Sequence, residues 1–119
     1  METKLSAYRQ EMAAIVSRHM KRETWIETAV PSLYFVREFS ASEPSHIFQK
    51  PSLCIILQGK KEICLAKECF QYGPSEYLIS AVGLPVIGQI MEATETEPYI
   101  SLKLEFTMNQ IVDLIHDKY

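Results

Sequence analysis

Apolar residues recur with two different periods along this chain of 119 residues. In the first segment, residues 2–22, they return every three or four positions, which is the period of a helix with one apolar stripe. That stripe consists of Leu5, Tyr8, Met12, Ile15, Val16 and Met20. No proline or glycine interrupts the segment. The pattern predicts an N-terminal amphipathic helix over residues 1–22.

Residues 23–106 instead contain short runs rich in β-branched and aromatic side chains, separated by proline, glycine and polar residues. Such runs predict strands. The predicted strands span residues 25–30, 33–39, 53–57, 62–65, 69–72, 77–80, 86–93 and 100–106. Residues 40–45 are predicted to form a loop. Gly59 is predicted to occupy the glycine position of a two-residue hairpin turn. Seven or eight short strands at this spacing indicate an all-β barrel or sandwich.

A second amphipathic segment follows the last strand, over residues 107–119. Thr107 has the side chain of a helix N-cap, and the apolar residues after it have helical spacing. They are Met108, Ile111, Val112 and Ile115. Because no element follows this helix to cover its apolar face, we expect the sequence to be part of a longer protein.

The composition fits one domain and argues against some partners. A hydrophobic fraction of 47% is enough for one core, and 12 basic against 15 acidic residues give a net charge of −3. Proteins that bind nucleic acid usually present a basic face, so we do not expect this chain to bind DNA or RNA directly. No run reaches the roughly 18 apolar residues of a membrane span. No signal peptide is recognisable. We expect a cytoplasmic protein without a membrane partner.

The residues that support catalysis or metal binding are few. The three histidines are His19 on the first helix, His46 in a predicted loop and His116 on the last helix. None is predicted in a strand, and no two have the spacing of metal ligands. Nucleophile-elbow and glycine-rich phosphate motifs are missing. The sequence therefore predicts no metal, no cofactor and no enzymatic activity.

The three cysteines allow two interpretations. Cys64 and Cys69 are predicted to face each other across a hairpin, with Cys54 one strand away. An odd number of cysteines, without a secretory context, does not support a disulfide framework. A zinc site would need further ligands that this neighbourhood does not supply. Buried cysteines commonly serve as small apolar residues, so core packing is the favoured interpretation and redox sensing the alternative.

Several polar residues interrupt the apolar strands. Arg37, Gln58, Gln89 and Tyr99 are the candidates for binding a small effector, since a few polar groups in an apolar lining orient a ligand. In the alternative interpretation, Arg37 pairs with a surface carboxylate such as Glu38 or Glu62, and the glutamines satisfy backbone groups at strand ends. The sequence does not determine which face of its strand Arg37 lies on, because an error of one residue in the predicted alternation moves the side chain to the other face.

Several separated segments of the sequence match one family in order. Residues 51–61 (PSLCIILQGKK), 76–80 (EYLIS) with 84–86 (LPV), and 97–104 (EPYISLKL) carry the match. Upstream, Leu33 to Arg37 resembles the family's early strand with its arginine. Over about Thr28 to Ile115 the chain resembles the N-terminal domain of AraC-type transcriptional regulators.

This resemblance implies a small cupin-like β-barrel, here with a flanking helix at each end. It implies a bacterial sensor domain that takes up a small effector or mediates dimerisation, followed by a C-terminal helix-turn-helix domain that binds DNA. That second domain is outside this sequence. The expected homodimer interface is the apolar face of residues 107–119. Two alternatives remain, a small metal-dependent cupin enzyme and a dimerisation platform without a ligand. Enzymatic cupins hold a metal through paired histidines and a glutamate, and this sequence lacks such a pair.

Overall fold

The computed structural model describes residues 2–21 and 24–118. In this part of the chain, two helices flank nine strands. The elements are α1 (Glu2–His19), β1 (Trp25–Glu27), β2 (Leu33–Glu38), β3 (Ser45–Gln49), β4 (Ser52–Gln58), β5 (Lys60–Leu65), β6 (Glu68–Tyr72), β7 (Tyr77–Ser80), β8 (Leu84–Glu92), β9 (Tyr99–Glu105) and α2 (Met108–Lys118). The predicted helix end at Arg22 and the last residue, Tyr119, lie outside the described residues.

The strands form two antiparallel sheets, so the prediction of a mostly β fold with two flanking helices is confirmed. One sheet has the order β1-β2-β9-β4-β7 and the other β3-β8-β5-β6. The pairings between described strands stay within these two sheets and do not join them into one closed barrel. Side chains alternate across each strand, so every sheet has an inner face toward its partner and an outer face.

The core between the sheets is apolar and uses one side of each strand. Ile56 of β4, Ile63 of β5 and Val86 of β8 are buried there, together with Tyr72 and Tyr99. Ile56 is completely inaccessible to solvent. This alternation explains why β4 has a continuously apolar sequence, because its other side is also covered.

Helix α1 covers the outer face of the five-stranded sheet. Ala13, Val16 and Met20 are buried against Leu57 of β4 and Ile100 of β9. The predicted stripe is correct only in this C-terminal part. Leu5, Tyr8 and Met12 remain 52%, 55% and 38% exposed, respectively. The helix packs on the sheet through its second half, and the apolar side chains of its first half stay more exposed.

The structure contains a strand, β3, that the sequence did not predict, and it begins at the last residue of the predicted loop 40–45. Ser45–Gln49 pairs with β8 through the register His46↔Ile87 and Phe48↔Pro85. Four of its five residues are exposed. Backbone pairing at a sheet edge, rather than burial, makes this segment a strand, and the hydrophobic pattern carries no signal for it. His46 therefore lies in a strand, contrary to the prediction.

Gly59 does not form the predicted hairpin turn. It is the single residue between β4 and β5, and these strands belong to different sheets. Its φ of +87° is a conformation that favours glycine. A Cβ atom here would lie 2.6 Å from the carbonyl oxygen of Glu92. Glycine thus allows the chain to cross between the sheets in one step, close to the end of β8.

Thr107 caps α2 as predicted. The backbone N–H of Gln110 donates to Thr107 Oγ1 at 3.1 Å, and the backbone N–H of Thr107 donates to Gln110 Oε1 at 2.7 Å. These two bonds form a capping box, which satisfies free backbone donors and fixes where the helix begins.

Candidate functional site

A cleft of about 520 Å³ opens where β4 crosses to β5. We call it the mouth cleft. Its floor is the crossing itself, residues 57–60, and one wall is formed by Glu92 at the end of β8 with Thr94 and Glu97 of the loop between β8 and β9. Arg9 and Gln10 of α1 form the opposite wall. Helix, crossing and loop therefore meet at one place.

Charges of both signs line the mouth cleft. Lys60 Nζ lies 3.4 Å from Glu92 Oε2, and both side chains are substantially exposed. Arg9 Nη1 donates to Ser75 Oγ at 3.4 Å, which ties α1 to the loop before β7. An exposed ion pair contributes little to stability, so both groups are available to a polar ligand at low cost.

Two buried tyrosines lie in the core behind the mouth cleft. The Cα atom of Tyr99 is within 2.9 Å of the position that a Gly59 Cβ would take, and Ala93 lines the cleft while packing on the same core. Burial raises the pKa of Tyr72 and of Tyr99 well above the ordinary value. These hydroxyls therefore stay protonated and neutral.

Lys61 also belongs to the inner face, because it lies two residues before Ile63 on β5. Burial lowers the pKa of its amine, and the charge of Lys103 lowers it further, whereas Cys54 acts in the opposite direction. In the strand register Lys61 is directly opposite Tyr72 and Ile90, where a lysine is unusual. The hydrophobic pattern of β5 gave no indication of it.

The four predicted effector-binding residues do not share one site. Gln58 lines the mouth cleft, and its Nε2 donates to the carbonyl oxygen of Pro98 at 2.7 Å. Tyr99 lies directly behind it, 2% exposed. Gln89 is on the outer side of β8 and donates to the carbonyl oxygen of Ser42 at 3.1 Å. The structure thus brings Gln58 and Tyr99 near each other and places Gln89 elsewhere.

Arg37 faces α1 rather than the space between the sheets. Its Nη2 donates to the carbonyl oxygen of Lys21 at 2.9 Å and its Nη1 to that of Ser17 at 3.4 Å. The guanidinium also stacks over the Phe39 ring at 4.8 Å. These contacts fasten the C-terminal end of α1 to β2, where a cation also complements the helix dipole. Neither the surface ion pair nor the inward position considered for Arg37 is found.

The cysteines divide into two groups. Cys64 and Cys69 are directly opposite in the β5–β6 register, as predicted, but form a disulfide on the outer face of the four-stranded sheet. Core packing is therefore the wrong interpretation for this pair. Cys69 is exposed, and Ile63, the neighbour of Cys64, faces the core instead. Cys54 is a free thiol buried between the sheets, as that interpretation predicts.

The remaining predicted groups are exposed or dispersed. His19 is on α1, His46 on the outer side of β3 and His116 on α2, so the described histidines do not converge. On α2, Met108, Val112 and Ile115 are 48%, 45% and 54% exposed, and Ile111 is half-buried. The predicted dimer face is thus open to solvent.

The sequence did not indicate the charged residues of the mouth cleft as site residues. Arg9 belongs to a helix, Glu97 to a loop, and Lys60 and Glu92 to strand ends, where charged residues are ordinary. The sequence signals near them are Gln58, a polar residue at the end of an apolar strand, and Gly59, which separates β4 from β5.

Comparison with known proteins identifies the family. Residues 29–118 match the model of the AraC-type transcriptional regulator N-terminus. The chain belongs to this family. No curated protein matches it. The part that matches the AraC-type N-terminal domain includes every described strand except β1, together with α2.

Solved structures support the cupin fold of this AraC-type domain. A cupin-2 domain protein from Shewanella frigidimarina is similar with a TM-score of 0.52 at 10% identity, over 80% of this chain and 92% of that one. A cupin superfamily protein from Desulfitobacterium hafniense has a TM-score of 0.50 at 14% identity, over 77% and 88%. An HTH_3 family transcriptional regulator from Vibrio cholerae has a TM-score of 0.50 at 11% identity, over 86% and 64%. None of the described helices has the length and apolar character needed to cross a membrane.

Proposed function

We propose that this domain senses a small polar effector for an AraC-type transcriptional regulator, and that the effector occupies the mouth cleft. One observation carries the proposal. The cleft of about 520 Å³ joins the strand crossing to α1, and its volume falls in the range of roughly 300 to 1,000 Å³ typical of small-molecule sites.

The cleft chemistry favours a ligand with several polar groups. Arg9 and Lys60 offer cationic donors, while Glu92 and Glu97 offer carboxylate acceptors. Gln58 is in the lining and Tyr99 supports the floor from behind. In this proposal Gln58 is the predicted residue that touches the effector. Arg37 and Gln89 act outside the cleft, by holding α1 and the segment at Ser42.

The position of α1 supplies a route for the signal. Arg9 and Gln10 line the cleft, and the second half of the same helix packs on the outer face of the five-stranded sheet. An effector that contacts Arg9 favours the arrangement of α1 that it binds best, and thereby shifts the population of conformations. DNA is bound, in this proposal, by a helix-turn-helix domain outside residues 1–119, in the bacterial cytoplasm.

The role is proposed as binding without catalysis. The metal-dependent cupin enzyme considered as the alternative would need paired histidines directed to one point. The described histidines lie on α1, on the outer side of β3 and on α2. This dispersal supports a sensor over the alternative of a metal-dependent enzyme.

Native mass spectrometry tests the mouth cleft. The expected result is a small organic molecule that co-purifies with the chain and is released on denaturation. Glu97 is exposed and lines the cleft, so Glu97→Trp fills the space and removes that mass. Glu95 is exposed in the same loop but outside the lining, so Glu95→Trp retains it. A ligand retained equally by both variants places the effector elsewhere.

A second candidate role, dimerisation, is favoured by α2. Its exposed apolar side, with Met108, Val112 and Ile115, suits a second copy of the same chain, because a two-fold interface brings the same face from each copy together. Analytical ultracentrifugation tests it. We expect a dimer that Ile115→Lys converts to monomer. Asp117 lies on the opposite side of the helix, and Asp117→Lys leaves the dimer intact. A monomeric parent chain at high concentration contradicts this role.

A further inference from the structure

A second cluster of reactive side chains lies away from the mouth cleft, on the outer face of the four-stranded sheet. Cys64 on β5 pairs with Cys69 on β6, and Glu62 lies two residues before Cys64 on the same face. The sulfur atoms and a carboxylate oxygen of Glu62 all lie within 4.8 Å of one another. Cys64 Sγ is 3.7 Å from Glu62 Oε1.

The carboxylate in this cluster is held in place by a neighbour. Gln71 is directly opposite Glu62 in the β5–β6 register, and its Nε2 donates to Glu62 Oε2 at 3.2 Å. The other oxygen, Oε1, is the one near Cys64. Such an outer hydrogen bond is how proteins orient a carboxylate toward a metal.

The paired strands keep both sulfurs close whether or not they are bonded to each other. The Cα atoms of Cys64 and Cys69 are 4.0 Å apart and belong to adjacent strands joined by backbone hydrogen bonds. Reduction of the disulfide therefore leaves two thiols side by side. An open groove of about 460 Å³ along β3 and β8, lined by Cys64 and Ile87, gives access from solvent.

Thiolate sulfur and carboxylate oxygen are both ligands that zinc takes in proteins. Zn²⁺ takes cysteine sulfur at about 2.3 Å and carboxylate oxygen at about 2.0 to 2.2 Å. Two sulfurs on one ion therefore stand at most about 4.6 Å apart, a separation that a directly opposed strand pair provides. Three protein ligands leave a fourth tetrahedral position for water.

We propose that reduction of the Cys64–Cys69 disulfide creates a binding site for one thiophilic divalent ion, such as Zn²⁺, held by both cysteines and Glu62. A dithiol reductant transfers two electrons and two protons to the disulfide, which gives two thiols while the reductant becomes a disulfide. The metal ion then displaces the two thiol protons and binds both sulfurs. In a reducing compartment thiols are kept reduced, so the pair is available there to a metal ion.

Titration of the chain with Cd²⁺, a spectroscopic substitute for zinc, tests the site. The protein is stripped of metal and reduced without oxygen, and the ultraviolet charge-transfer band from thiolate to cadmium is followed. We expect a band that saturates at one equivalent in the reduced chain and does not appear in the oxidised one. Because binding releases thiol protons, a weakly buffered sample acidifies in parallel.

Variants separate this site from other thiols. The double variant Cys64→Ser, Cys69→Ser should lose the band, whereas Cys54→Ser, which changes the buried thiol of the other sheet, should keep it. Glu62→Gln should weaken affinity at least about tenfold against a competing chelator, and Gln71→Ala should weaken it less. No band in the reduced parent chain, or a band that depends on Cys54, would overturn the proposal.

Discussion

The outer faces of the two sheets differ in what covers them. On the five-stranded sheet, α1 buries Leu57 and Ile100 beneath Val16, and Arg37 fastens the helix end. On the four-stranded sheet, the outer face presents Cys69 and Phe48 to solvent. One face is thus part of the core, and the other offers polar and sulfur groups to solutes.

This difference separates residues that hold the fold from residues free to act. Arg37 has a charge, yet it donates to the backbone carbonyl oxygens of Ser17 and Lys21 at the end of α1, so its role is structural. Glu62 has a charge on the uncovered face, where its contacts are Gln71 and Cys64. Polar residues in apolar strands are therefore informative only once the cover over each face is known.

The largest expected difference between the two faces comes from a pair of matched truncations. Ile100 and Ile87 occupy interior strands, β9 and β8, so the loss of strand propensity is shared. Ile100 is 1% exposed beneath α1, and Ile100→Ala should lower the free energy of unfolding by about 2 to 5 kcal/mol. Ile87 is 36% exposed, and Ile87→Ala should cost less than about 1 kcal/mol. Urea denaturation measures both.

Equal losses for the two variants would mean that the outer face of the four-stranded sheet is also covered in solution. A self-associated chain gives this result. Repeating the unfolding at several protein concentrations tests this explanation, because the free energy of unfolding depends on protein concentration only if copies of the chain associate.

A smaller effect on the free energy of unfolding is expected from Arg37, which holds the end of α1 on the five-stranded sheet. Arg37→Met removes two hydrogen bonds from a charged donor to the end of α1, and should cost about 2 kcal/mol. Arg18→Met, at an exposed position in the last turn, is the control. Hydrogen exchange of the α1 amides should accelerate in the first variant only. If both variants exchange alike, Arg37 does not hold the helix.

Much of the fold can be predicted from the sequence because apolar residues recur with the period of the helix or strand that buries them. Strands β4 and β9 were predicted within two residues at each end, since an apolar strand between two covered faces and an alternating strand each have a distinct pattern. Strand β3 was missed because it is mostly exposed and depends on pairing with β8. The Gly59 turn was misassigned because sequence shows a break between strands but not the change of sheet.

The candidate sites were harder to predict because they join distant segments. Gln58 was found as a polar residue in an apolar strand, but its neighbours in the mouth cleft come from α1 and from the loop after β8. The facing of Cys64 and Cys69 was predicted from hairpin spacing. Their position on the outer face was not, because alternation gives two faces and does not say which is inside.

The smallest effect of a single substitution concerns the pH dependence of stability, which depends on tyrosines between the two sheets. Tyr72 and Tyr99 titrate near 10.0 when unfolded, and burial raises the pKa of each in the folded protein. The unfolded chain therefore binds fewer protons above pH 10, and stability should fall by about 1.4 kcal/mol per pH unit for each tyrosine. The lowered pKa of Lys61 acts in the opposite direction up to about pH 10.5, so the slope is measured above that pH. Tyr99→Phe should reduce the slope by the share of one tyrosine, about 1.4 kcal/mol per pH unit, whereas Tyr77→Phe, at a 65% exposed position, should leave it unchanged. An unaltered slope in Tyr99→Phe would mean that alkali opens the core before the tyrosine ionises.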